Sequence, residues 1–169
     1  MTMRSADAKI ALTEITNILS SGQIEEGKAK LLNASPAWPE VLRLEGYGNL
    51  AFYERKFQKA IEFYEKSIEI DQGNLIARYQ YLVGVDLAKE TTVVPAFERF
   101  QFAIEIEPTF VDPYVELGAL LVRIEDFEGA RECYRRAAEI EDSFENWANL
   151  KTVTELLSNS DPEKYEREL

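Results

Sequence analysis

Histidine is missing from all 169 residues. With it go the commonest general base, the Ser-His nucleophile pair and the commonest metal-ligating side chain. A single cysteine, Cys133, leaves no partner for an intrachain disulfide and no Cys-rich metal site. Gly-rich phosphate loops and paired-Cys motifs are also absent, so neither an enzyme nor a cofactor is expected. Basic residues are short as well: 19 Lys and Arg face 31 Asp and Glu, a formal net charge of −12. A duplex-binding protein needs clustered Lys and Arg to neutralise phosphates, which argues against nucleic acid as a partner. An anionic membrane surface is disfavoured for the same reason. No apolar run reaches spanning length, and Asp7, Lys9 and Glu14 interrupt the N-terminal stretch where a signal peptide would need an apolar core. Cytoplasmic residence is the resulting expectation.

What remains is 46% hydrophobic and 30% charged, with only 8 Gly and 6 Pro, a composition suited to a soluble helical protein. The clearest pattern runs from Val111 to Glu141. Leu117, Gly118, Leu121, Phe127, Ala130, Tyr134 and Ala137 recur there at three- and four-residue steps, broken once near Glu125 and Asp126. This predicts two short amphipathic helices joined by a tight turn.

Taken in order, residues 6–36 read as a degenerate helical hairpin, with Ile10, Leu12, Ile15, Ile18 and Leu19 before Gly22, and Ile24, Leu31 and Leu32 after it. Ser35-Pro36 and Trp38-Pro39 separate it from the next hairpin. Repeats are expected over 41–74, 77–110 and 111–144, then a capping helix over 145–157 and a polar tail over 158–169, all within one domain over 1–160. Asn74 is an expected N-cap, Thr91 and Thr92 mark a turn with Pro95, and Asp112-Pro113 reads as N-cap plus first-turn proline. Trp147, Leu150, Val153 and Leu157 form one stripe on the last helix.

The register is set by columns. Gly48, Gly84 and Gly118 stand at steps of 36 and 34, and Ala60, Ala96 and Ala130 keep the same steps. Tyr64, Phe100 and Tyr134 follow, then Ser67, Ala103 and Ala137. Glycine on a first helix and alanine on a second permit close helix approach, and the rings are expected to fill the space between hairpins. Since one hairpin cannot bury both its faces, stability should come from stacking.

These columns resemble the tetratricopeptide repeat, a helix–turn–helix unit of about 34 residues. Leu117-Gly118 matches its Leu-Gly pair, with Val83-Gly84 and Tyr47-Gly48 as variants, and its closing proline is kept at Pro108. The resemblance implies an all-α fold: a right-handed α-solenoid of antiparallel helix hairpins. It also implies a non-catalytic adaptor that binds a partner peptide in a concave groove lined by the first helices. Projected onto this chain, the groove comprises Leu42, Glu45, Asn49 and Phe52, then Arg78, Tyr81, Val85 and Lys89, then Val115, Ala119, Val122 and Arg123, with Asp112 at its edge. Lys9, Leu12, Thr16 and Leu19 extend it from the degenerate hairpin. Cations outnumber anions among these positions (Lys9, Arg78, Lys89 and Arg123 against Glu45 and Asp112), which suits an amphipathic or mildly acidic peptide. Two alternatives have the same architecture: a dedicated client chaperone, resembling the acidic chaperones of type III secretion, and a self-assembling scaffold or homo-oligomer. A co-chaperone that clamps C-terminal carboxylates with Lys, Asn, Asn, Lys and Arg is disfavoured, because the matching positions hold Glu45, Asn49, Leu82, Asp112 and Glu116. Glu65, Glu69, Glu128 and Glu132 read as a solvated surface, and Cys133, beside the Tyr134 column, as a buried structural thiol.

Overall fold

Apolar side chains recurring at three- and four-residue steps pay for helix only where a second helix covers them, and the chain folds accordingly. The computed structural model describes residues 4–73, 75–89 and 93–160, and those residues form nine α-helices, one 3-10 turn and no strand. They are α1 (Ser5–Ser20), α2 (Ile24–Ala34), α3 (Glu40–Tyr53), α4 (Phe57–Ile70), α5 (Ala77–Lys89), α6 (Val93–Ile106), α7 (Asp112–Arg123), α8 (Phe127–Ile140) and α9 (Phe144–Ser160), with the 3-10 turn at Ser35–Ala37. The chain divides into two compact units, Met1–Leu82 and Val83–Leu169, the division falling within α5. Asn74, Thr91, Thr92 and residues 161–169 lie outside the described residues.

In the first unit α1 pairs with α2, α3 with α4, and α1 also lies against α3. Leu12, Ile15, Leu19, Leu31, Trp38 and Leu42 form one buried cluster. Trp38 is fully enclosed there, and its indole N–H has no hydrogen-bond partner. One polar link ties the two hairpins together, Asn49 Nδ2 donating to Thr16 Oγ1 at 3.0 Å, and another closes the α3–α4 hairpin itself, Ser67 Oγ donating to the Val41 carbonyl at 2.9 Å.

The second unit pairs α7 with both α6 and α8, and α8 with α9. The side chain of Asn146 closes the end of α8, its Nδ2 donating to the carbonyls of Ala137 (3.3 Å) and Glu141 (3.0 Å). Val153 is buried, but Trp147 is not on the buried stripe expected of it. It is half exposed, and its Nε1 donates outward to Asp142 at 2.7 Å. Helix α7 also starts one residue earlier than expected, at the residue expected to cap it: Val111 holds the N-cap position and Asp112 is already helical.

The glycine–ring columns have a simpler meaning than the space-filling role expected of them. Each ring follows its glycine by 16 residues and lies directly over it, inside one hairpin. A Cβ built at Gly48 would stand 2.3 Å from Tyr64 Cε1, one at Gly84 2.7 Å from Phe100 Cε1, and one at Gly118 2.8 Å from Tyr134 Cε1. Glycine is needed at these sites because the ring occupies the volume of a side chain.

The turns inside the first and third repeats are held differently. Arg55 (φ 60°) and Glu125 (φ 64°) take left-handed backbone without being glycine. The amides that follow them, Lys56 N and Asp126 N, reach back to the carbonyls of Ala51 (2.8 Å) and Leu121 (3.0 Å). A left-handed residue with a Cβ costs about 1–2 kcal/mol, so helix packing, not turn propensity, holds these corners.

Candidate functional site

The candidate site is the side of the first helices that faces away from their second helices. In the first unit, four of the expected positions are closed. Leu42 belongs to the buried cluster and Phe52 is packed edge-on against Tyr53, Phe57 and Tyr81, with ring centroids 5.2, 5.7 and 5.9 Å away. Asn49, 3% exposed, uses its amide internally: Tyr64 Oη donates to its Oδ1 at 2.8 Å while its Nδ2 serves Thr16. Arg78, 5% exposed, donates Nε and Nη2 to Tyr53 Oη at 3.2 and 2.8 Å and stacks over that ring at 5.4 Å. The expectation that these four reach a partner is corrected by their burial, since apolar and hydrogen-bonded groups are consumed by the fold. Of the extension, Leu12 and Leu19 are buried too, Thr16 is held by Asn49, and Lys9 is exposed. Glu45 and Tyr81 stay half-buried, as does Tyr53, which sequence reasoning missed. The only signal for it was an aromatic at the last position of a first helix.

The second unit is more open. Helix α7 is two-sided: Tyr114, Leu117, Leu120 and Leu121 are buried, whereas Val115 and Val122 are half-buried and Ala119 and Arg123 exposed. Arg123 Nη1 donates to the Ala88 carbonyl at 3.2 Å, so α7 touches the end of α5 beside half-buried Val85 and exposed Lys89. Lys89 Nζ stands 3.9 Å from the Asp86 carboxylate. At the other end of α7, burial and then the neighbouring Asp112 carboxylate raise the Glu116 carboxyl above the ordinary glutamate range. The Tyr134 phenol is likewise raised, first by burial and then by the charges of Cys133 and Glu116.

A separate open cavity of about 320 Å³ lies between α6, α7 and α8, lined by Ile104, Glu105, Tyr114, Leu117, Cys133 and Arg136 among others. Burial, reinforced by Glu132 and Asp126, pushes the Cys133 thiol up to about 11. Alkylation by iodoacetamide at pH 7.5 is therefore expected to run at least about tenfold slower than for an unperturbed thiol, and to accelerate until the pH passes 11. Because this pKa is raised, the associated stability is fully present at neutral pH and is lost progressively as the pH climbs from the ordinary thiol range to about 11. An alkylation rate that levels off near pH 8 would show that the thiol is not desolvated.

Among the described residues no group of acidic or Cys side chains is arranged to hold a metal ion, and no helix is long and apolar enough to cross a membrane.

The sequence profile of the tetratricopeptide repeat matches residues 45–74 and 111–144. An uncharacterized protein of Methanocaldococcus jannaschii is 32% identical over 95 residues, which is 56% of this chain and 100% of that protein. The heat-shock protein cognate co-chaperone sgt12 of Aspergillus fumigatus is 24% identical over 122 residues, 72% of this chain, and the chain spans only 35% of that relative's length. In structure, the first tetratricopeptide domain of Spaghetti, solved with an HSP90 peptide, superimposes with a TM-score of 0.51 at 22% identity, over 70% of this chain and 94% of that domain. Helical hairpins with glycine–ring columns, the matched profile and these neighbours agree on one conclusion: the chain is a member of the tetratricopeptide repeat family.

Proposed function

We propose that the chain is a non-catalytic protein-interaction module that holds an amphipathic segment of a partner protein along the open side of its first helices. One observation carries this reading. Helix α7 is fully packed on one side, yet keeps Val115, Ala119, Val122 and Arg123 accessible on the other. An apolar strip edged by a cation is what an amphipathic segment needs. The relatives support it in kind, one being a co-chaperone and another a domain solved with a bound peptide.

The chemistry of the site separates this chain from binders of C-terminal carboxylates. Asn49 is occupied by Tyr64 and Thr16, Leu82 is buried, and Asp112 and Glu116 put negative charge where a carboxylate would need cations. Burial of Arg78 also removes one cation from the face, so the selectivity rests on apolar contact with Lys89 and Arg123 at its margin.

The test uses peptides selected on the wild-type protein from a random display library. The paired substitution Val122→Glu and Lys89→Glu is expected to weaken them at least about tenfold, with unchanged far-ultraviolet circular dichroism. Undiminished affinity would remove the site from this face.

A further inference from the structure

The repeats solve one hydrogen-bonding problem differently in the two units. Tyr64 and Tyr134 occupy the same column, each ring lying over the glycine 16 residues before it. In the first unit the hydroxyl reaches the next residue of the first helix, Asn49, and donates to its carboxamide at 2.8 Å. In the second unit the corresponding residue is Ala119, whose methyl group can accept nothing. Tyr134 is 8% exposed and its hydroxyl has no hydrogen-bond partner among the described residues, yet it is not sealed: the Trp38 indole nitrogen is the fully enclosed side-chain polar atom without a partner. The phenol therefore opens toward the surface where Ala119 is exposed, within electrostatic range of the Glu116 carboxyl.

A hydroxyl that opens to the surface and has no protein acceptor leaves a donor that a ligand can use. We propose that Tyr134 and Glu116 form a subsite for a carboxamide of the partner, an Asn or Gln side chain that takes the place Asn49 fills for Tyr64. The carboxamide oxygen accepts from Tyr134 Oη, and its NH2 group donates to Glu116, just as Asn49 accepts from Tyr64 while donating to Thr16. A carboxylate would accept from the phenol but meet the negative charges of Glu116 and Asp112. An ammonium would satisfy Glu116 but offer the phenolic proton no acceptor. This subsite rests on the interaction face proposed above and names its specificity.

Two measurements test it. The first needs no ligand: a thermal double-mutant cycle of Ala119→Asn and Tyr134→Phe. An asparagine at 119 should rebuild the bond of the first unit, so its effect on the midpoint should be more favourable by about 2–4 °C with Tyr134 present than with Phe at that position. The lower helix propensity of Asn enters both arms equally. In the second, each position of a library-selected peptide is replaced in turn by Asn, Gln, Asp, Lys and Ala. At one position Asn or Gln should exceed Ala about tenfold, and the preference should vanish in both Ala119→Asn and Tyr134→Phe. Absence of coupling in the cycle, or a preference for Asp or Lys at that position, overturns the subsite. Peptides that bind and respond to Val122→Glu but show no carboxamide preference sink the subsite and leave the face intact. If no peptide binds, both fall.

Discussion

Gly48→Val is expected to destabilise the protein by about 3 kcal/mol in urea unfolding. The new Cβ would stand 2.3 Å from Tyr64 Cε1, closer than any packed carbon contact. The ring has nowhere to withdraw, since Tyr64 is completely buried and its hydroxyl is held by Asn49. Replacing a helical glycine would otherwise gain up to about 1 kcal/mol of helix propensity, less for a β-branched residue, so the clash wins. The cause can be isolated by adding Tyr64→Ala: the double variant should be no less stable than Tyr64→Ala alone. Additive losses would mean that the ring is not what excludes a side chain at Gly48.

The largest loss in the second unit is expected from Phe100→Ala, about 3–5 kcal/mol. Phe100 has no exposed surface and its ring covers Gly84, so truncation leaves a cavity that neither glycine nor the small Ala96 and Ala103 of the same helix can fill. Phe144 supplies the control. It is the same residue type but 90% exposed at the start of α9, and Phe144→Ala should stay within about 0.5 kcal/mol of wild type. Equal losses at the two positions would contradict the burial that distinguishes them.

Both effects were within reach of sequence reasoning, and the reason is local. Gly48 and Tyr64, or Gly84 and Phe100, meet within one hairpin, so a fixed spacing reports a contact directly. The same logic exposed the helical architecture through apolar steps of three and four. It stopped at Asn49 and Arg78. A polar residue on a first helix reads as solvent-facing, but Asn49 finds Thr16 33 residues away and Arg78 finds Tyr53 25 residues away. Nothing in the spacing of either pair marks it, because each bond joins different helices through side chains that do not recur in the other repeats. Trp147 departs from the stripe as well: at the first turn of α9 it is half exposed and its Nε1 donates to Asp142.

The two-sidedness of α7 has a consequence for how such a chain diversifies. The residues that hold the hairpin together, Leu117, Gly118 and Leu121, and those left accessible, Val115, Ala119 and Val122, interleave along the sequence as two stripes of one helix that adjoin at Gly118 and Val122. Drift in the accessible set can change the exposed surface while the architecture is inherited unaltered. In the first unit Asn49, at the position that corresponds to Ala119, is instead committed to the fold by Tyr64 and Thr16. Substitutions should therefore be tolerated more readily at Ala119 than at Asn49.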